Sequence, residues 1–164
     1  MRSIIIVLCI FVFAENSFAQ NSKPISSKEL IGVWQINTPQ EADAWGKCFV
    51  FYKNGKYILH YSQYDDIARI KSVQGRYTLR DSSFSLTIES RTEISGGTLV
   101  PGSMGFQREE FVLDGGNPIV IKQAKEEPIS FYFKNCKGKN GARCIEINNN
   151  KYYKISSDPN KYTD

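Results

Sequence analysis

The sequence predicts an all-β protein, a single antiparallel up-and-down β-barrel of about eight to ten strands. Aromatic residues make up 13 % of the 164-residue chain, which is typical of β structure. Short apolar or alternating runs recur between turn residues at the spacing of a β-meander, without a long helical period or strand–helix alternation. Closure into a barrel leaves no sheet edge unpaired, so we prefer a barrel to the alternative, a β-sandwich.

The first element, residues 1–19, has the pattern of a secretory signal peptide. Arg2 makes the start positive, and an unbroken apolar run of eleven residues extends from Ile4 to Ala14. The segment Ser17-Phe18-Ala19 places small residues where a signal peptidase reads them, so we expect cleavage after it. The apolar run is shorter than the roughly 20 residues that cross a bilayer, so we expect no stable membrane insertion. The barrel domain, 20–164, is therefore expected to be exported, to the periplasm or the extracellular space.

The first strand is predicted from Leu30 to Ile36, after one turn of helix. Ser26 and Glu29 have the spacing of a capping box, which predicts this turn. Gly32 allows a close backbone approach or a bend within the strand, and Trp34 is large enough to plug one end of a small barrel. We therefore expect Trp34 to be largely buried.

The later strands are separated by turn residues. Lys53-Asn54-Gly55 lies between the aromatic runs Cys48–Tyr52 and Lys56–Tyr61, which is the strongest hairpin signal in the chain. The glycine-rich segment 96–105 is predicted to be a long irregular loop, and 114–117 a hairpin turn. Further strands are predicted at 69–73, 76–79, 84–89, 106–113, 118–122, 129–133, 144–147 and 151–155.

Three cysteines remain after cleavage: Cys48, Cys136 and Cys144. Cys136 and Cys144 bracket a basic, glycine-rich loop between two predicted strands, so a disulfide that closes this hairpin is the preferred pairing. Cys48 would then be a buried free thiol; pairing of Cys48 with one of the other two is the alternative. His60 is the only histidine and no Cys-x-x-Cys spacing occurs, so we expect no metal site and no cofactor.

The charges and candidate catalytic groups argue for a non-catalytic protein. The net charge of +4 is spread over scattered lysines, so we expect no nucleic-acid binding. Any catalytic triad would have to use His60, which lies in a predicted strand without a nucleophile motif. The carboxylate pairs are adjacent in sequence and would point to opposite faces of a strand. We therefore expect no enzymatic activity.

The segment Leu30-x-Gly32-x-Trp34, placed just after a secretion signal and before a β-meander, resembles the start of the lipocalin-like (calycin) families. It is most similar to the small secreted lipocalin-like domains of Bacteroidota. The resemblance implies an eight-stranded barrel with a helical turn at its closed end and an internal cavity. It also implies a basic residue that packs over the tryptophan, for which Lys154 and Arg143 are the candidates.

The candidate ligand-binding residues are apolar and aromatic side chains that share strand faces: Phe49, Phe51, Tyr57, Leu59, Tyr61, Phe131 and Phe133. If these faces point inward, they would line a cavity for a small apolar or amphipathic molecule. They would fill a solid core equally well. The second function class is a secreted protein-interaction module of the inhibitor or immunity type, with 137–143 and 96–105 as contact loops. An enclosed apolar cavity on the order of several hundred cubic ångströms favours a ligand, whereas a filled barrel with an exposed aromatic patch favours a protein partner.

Overall fold

The computed structural model describes residues 25–40, 46–63, 65, 67–80, 83–102, 111–124 and 127–161. The predicted signal peptide lies outside these residues. Within them, a helical turn α1 (Ser27–Leu30) precedes the strands β1 (Gly32–Ile36), β2 (Cys48–Phe51), β3 (Lys56–His60), β4 (Ile70–Arg80), β5 (Ser83–Ser95), β6 (Thr98–Pro101), β7 (Phe111–Asp114), β8 (Asn117–Lys122), β9 (Ile129–Lys137), β10 (Arg143–Ile147) and β11 (Asn150–Ser156). A short 3-10 turn, Lys139–Gly141, joins β9 to β10.

Eight of the described strands close into an antiparallel up-and-down barrel with the topology of a lipocalin-like fold. The strands β1 to β5 pair in chain order, β9 follows β5, and β11 closes the barrel by pairing with β1. The predicted all-β barrel is confirmed. We call the end that carries α1 the closed end, and the end at which β2 and β11 begin the open end.

Two predicted strands, 69–73 and 76–79, form the single strand β4. It continues through Gln74-Gly75, where the pairing with β5 shifts register. The irregularity therefore bends a continuous strand and does not end it.

The strands β5 to β8 form an extension at the open end. Leu86 of β5 pairs with Ile129 of β9, whereas Ser90, further along β5, pairs with Lys122 of β8. The strand β8 therefore continues the line of β9 past the open end. We call the part formed by β6, β7, β8 and the second half of β5 the arm.

The glycines of the arm kink one long ribbon. Ser95 pairs with Asn117, and on the far side of the glycines Thr98 pairs with Asp114. The four glycines between these pairs all have a positive φ, a backbone conformation that L residues rarely adopt. The predicted turn at 114–117 is therefore wrong, because β7 pairs with β6 and β8 pairs with β5. The predicted loop at 96–105 is wrong over β6; its residues 103–105 lie outside the described part of the chain. Four glycines that were predicted to end strands instead lie opposite one another across the two strands of a bent ribbon: Gly96, Gly97, Gly115 and Gly116.

The core lies inside the barrel and is built from aromatic rings. Phe51 is fully buried, stacks on Phe49 with ring centroids 5.4 Å apart, and meets Tyr77 edge to face at 5.2 Å. Such pairs contribute about 0.5–1.5 kcal/mol each beyond the area that they bury. A smaller cluster of Val33, Cys48 and Val50 is buried on the opposite face of the first two strands.

The disulfide joins Cys136 to Cys144, as predicted. The two cysteines face each other across β9 and β10, with their Cα atoms 4.9 Å apart. Cys48 is a buried free thiol whose pKa burial raises to about 12. The thiol is therefore protonated at neutral pH.

Candidate functional site

The closed end is plugged by Trp34, which is buried as predicted. Its indole Nε1 donates a hydrogen bond of 2.7 Å to the carbonyl oxygen of Leu30, at the end of α1. The Nζ atom of Lys154 lies 5.3 Å from the centre of the Trp34 ring and donates to the carbonyl oxygen of Glu29 at 2.8 Å. Of the two basic candidates, Lys154 therefore covers the tryptophan.

Local sequence and backbone conformation place this plug. The predicted capping box is present: the backbone N–H of Glu29 bonds to the Ser26 hydroxyl, and the Glu29 carboxylate accepts from the Ser26 backbone N–H. Because Leu30 ends the helical turn, β1 begins at Gly32 and not at Leu30. Gly32 has a φ of +123°, and a Cβ there would lie 2.2 Å from the carbonyl oxygen of Ser156. A side chain at this position would push β1 and β11 apart.

A cavity of about 200 Å³ opens at the other end of the barrel. Its wall is mainly apolar and aromatic, and its rim carries polar groups at the ends of strands. The wall residues are Phe49, Tyr57, Leu59, Val73, Leu86, Ile88, Ile129, Phe131, Ile147 and Tyr152, and the rim residues are Lys47, Tyr61, Asn148 and Asn150.

The cavity brings together most of the predicted ligand-binding residues: Phe49, Tyr57, Leu59, Tyr61 and Phe131. Phe51 and Phe133 share faces with them but lie in the solid core. Phe51 is packed between Phe49 and Tyr77, and Phe133 meets Phe84 edge to face at 5.8 Å. The barrel is therefore filled towards its closed end and hollow towards its open end.

Sequence reasoning missed three of the four rim residues, Lys47, Asn148 and Asn150, and part of the wall. Lys47 directly precedes a predicted strand, and Asn148 and Asn150 lie in a predicted turn, so their positions at strand ends were visible. What the sequence did not show is that these ends meet around one opening. That follows from the pairing of β11 with β1 and of β1 with β2.

Two buried tyrosines line this cavity. Tyr57 is 2 % exposed and Tyr152 is 3 % exposed, and neither hydroxyl hydrogen-bonds to another described group. Burial, with a smaller contribution from Tyr61 nearby, raises the pKa of each to about 12. Both phenols are therefore neutral at physiological pH and keep a proton to donate. Buried polar groups usually have a partner, so these hydroxyls are suited to a polar group of a ligand or to water.

The rim carries a single charged side chain among the described cavity residues, that of Lys47. Its Nζ lies 5.4 Å from the centre of the Tyr61 ring, a cation–π arrangement between two residues that line the cavity. The cavity therefore joins an apolar interior to a positively charged rim.

Other exposed features lie away from the cavity. The arm presents exposed apolar side chains, among them Leu99, Phe111 and Val120, and Tyr132 is 85 % exposed on β9. The basic loop 137–143 lies at the closed end, where Arg143 is near enough to Lys154 to lower its pKa, although burial of Lys154 is the larger cause.

The described residues contain no group of His, Cys, Asp or Glu side chains arranged to hold a metal ion. Within the same residues, no helix has the length and apolar character needed to cross a membrane.

No protein-family model matches the chain, and searches of curated proteins and of solved structures give no significant match.

Proposed function

We propose that this chain is an exported, lipocalin-like, non-catalytic protein that binds a small apolar or amphipathic molecule in the open end of its barrel. The observation that carries the proposal is the cavity of about 200 Å³, with its apolar wall and two buried tyrosines whose hydroxyls have no hydrogen-bond partner among the described residues. Binding sites for small molecules are typically concave and mostly apolar, with a few polar groups that fix orientation.

The closed end and the disulfide support the lipocalin-like and exported parts of the proposal. The arrangement of Lys154 over Trp34 is the one that the family resemblance implies. The disulfide between Cys136 and Cys144 is typical of proteins that mature in oxidising compartments.

The test is direct binding of a small amphiphile, with a variant that fills the cavity. We expect native mass spectrometry of the purified protein to show a co-purified small molecule, and isothermal titration calorimetry to detect binding of 1-octanol. Leu59→Trp should weaken octanol binding at least tenfold, because Leu59 lines the wall and the larger ring occupies the cavity.

The matched control is Thr78→Trp, which adds the same ring at an exposed position of β4. It should leave octanol affinity within about twofold of the parent. If Leu59→Trp fails to fold by circular dichroism, Ile129→Trp supplies a second filler, because Ile129 lines the cavity but is 47 % exposed. Equal octanol binding by the parent and a folded filled variant would refute the proposal.

The alternative is a protein-interaction module, which the exposed apolar side chains of the arm favour. Val120→Lys places a charge at an exposed position of the edge strand β8, outside the residues that line the cavity. If the protein's activity in its host depends on a partner bound at the arm, Val120→Lys should abolish that activity while octanol affinity stays unchanged.

A further inference from the structure

We propose that the ligand is an anionic amphiphile, a short-chain carboxylate whose charged group lies at Lys47 and whose alkyl chain enters the cavity. This inference rests on the proposed function, because it assigns a ligand class to the same cavity.

The charge of the site selects an anion. Lys47 is the one charged side chain among the described cavity residues, and no carboxylate lies beside it there. Arg91, which lies opposite the wall residue Val73, is paired with Glu93 at 2.9 Å, so that pair adds little net charge. Two further lysines, Lys71 and Lys151, lie on strands at the same end and add positive charge there. A carboxylate at the rim would meet an ammonium group that has no acidic neighbour among the described lining residues.

The neutral phenols of the cavity are donors that a carboxylate can use. Tyr57, Tyr61 and Tyr152 line the same cavity as Lys47. Lys47 lies over the ring of Tyr61, so the ammonium group and the phenols share one side of the opening. An anion bound there would accept hydrogen bonds from groups that keep their protons.

The register places further amide donors along the same part of the rim. The backbone N–H of Ile36 bonds to the carbonyl oxygen of Lys47 at 2.9 Å, and Ile36 pairs with Tyr152 on β11. Lys47 and Tyr152 are therefore separated by only one strand, or about 10 Å at the usual strand spacing, and Asn150 lies two residues from Tyr152 on β11. Asn148 and Asn150 line the cavity beside Tyr152.

The volume limits the length of the alkyl chain. A cavity of about 200 Å³ holds about seven groups of the size of a water molecule, at roughly 30 Å³ each. Octanoate has a seven-carbon chain beyond its carboxyl carbon, so its apolar part matches the cavity while its head group stays at the rim. A much longer chain would have to leave part of its length in solvent.

The test compares three eight-carbon probes with different head groups: octanoate, 1-octanol and octylamine. Octanoate has one methylene fewer in its alkyl chain, which would weaken its binding, so a preference for octanoate cannot come from its chain. At pH 7.5, calorimetric titration should give octanoate a dissociation constant at least tenfold below that of 1-octanol, with octylamine the weakest. Lys47→Gln should weaken octanoate binding at least tenfold and leave 1-octanol within about twofold. Lys47→Arg should keep the preference for octanoate. The matched control, Lys56→Gln, removes an exposed lysine at the closed end of β3 and should change neither affinity.

Each outcome separates the two proposals. Equal affinity for octanoate and 1-octanol, or tighter binding of octylamine, would overturn the anionic ligand and leave the binding function standing. A preference for octanoate that survives in Lys47→Gln would overturn the assignment to Lys47. If none of the probes binds and no molecule co-purifies, the binding function fails, and the ligand class fails with it.

Discussion

Replacing Trp34 with alanine tests whether the closed end is a structural plug. The side chain is 1 % exposed and belongs to the main core, so its removal leaves a cavity at the base of the barrel. Truncation of a large buried aromatic residue typically costs about 3–5 kcal/mol. That is a large part of the roughly 5–15 kcal/mol that stabilises a domain of this kind. We therefore expect Trp34→Ala to be severely destabilised but still folded at low temperature.

Two milder variants divide this cost. Trp34→Phe keeps most of the ring but loses the Nε1 donor, so the Leu30 carbonyl oxygen loses its 2.7 Å bond; we expect about 1–3 kcal/mol. Lys154→Met keeps the aliphatic stem but loses the ammonium group over the ring and its bond to Glu29. An exposed cation–π contact contributes about 0.5–1 kcal/mol, so we expect a loss of about 1–2 kcal/mol with the hydrogen bond included.

Urea unfolding followed by far-ultraviolet circular dichroism measures these differences. With a slope of about 2 kcal/mol per molar urea, Trp34→Ala should lower the midpoint by about 2 M. The order of destabilisation should be Trp34→Ala, then Trp34→Phe, then Lys154→Met. A loss below about 1 kcal/mol for Trp34→Ala would refute the structural role of Trp34, because truncation of a fully buried indole ring should lower the free energy of unfolding by more than that.

Three further predictions concern the backbone, the disulfide and the cavity. Gly32→Ala should lower the free energy of unfolding in urea by about 2–5 kcal/mol, because of the positive φ and the clash with β11. The control, Gly115→Ala, is also at a positive φ but has open space around the added Cβ, so it should lower that free energy by only about 1 kcal/mol. Similar losses would refute the clash. Replacing Cys136 and Cys144 together by serine should lower stability by about 2–3 kcal/mol, the entropy of closing a short loop, and dithiothreitol should then have no further effect on the unfolding midpoint. Burial raises the pKa of Tyr57 to about 12. The stability that the neutral, buried phenol contributes is therefore fully present below pH 10, the usual pKa of tyrosine, and is lost as the pH rises towards 12. Tyr57→Phe should reduce this alkaline loss of stability in thermal unfolding, and an unchanged pH profile would contradict the prediction.

Short-range features were predictable because neighbouring residues determine them. The capping box at Ser26 and Glu29 formed as expected, as did the hairpin around Asn54-Gly55. The disulfide closes a separation of only eight residues between paired strands. In each case the interacting groups are brought together by a single turn, so composition and spacing were sufficient.

The glycines of the arm show where local reading failed. Gly115-Gly116 has the composition of a hairpin turn, and its positive φ values are those of such a turn. The same conformations also bend a two-stranded ribbon when a second glycine pair lies opposite. Whether a hairpin turn or a bent ribbon forms depends on whether β8 pairs with β7 or with β5. Because β5 is distant from β8 in the chain, the local sequence does not decide this.

The sequence alone determined that the chain is antiparallel β structure with a buried tryptophan near its start, and it favoured a barrel, because alternation, turns and a glycine–tryptophan motif are local properties. Only the tertiary structure decided which basic residue covers Trp34, since the contact of Lys154 with Glu29 joins residues 125 positions apart. It also decided that Phe49 faces a cavity whereas Phe51, on the same strand face, lies in solid core. The alternation of residues along a strand predicts whether a side chain points inward. How deep it lies in the barrel, and whether the space beside it is filled, depends on the register of all the strands together.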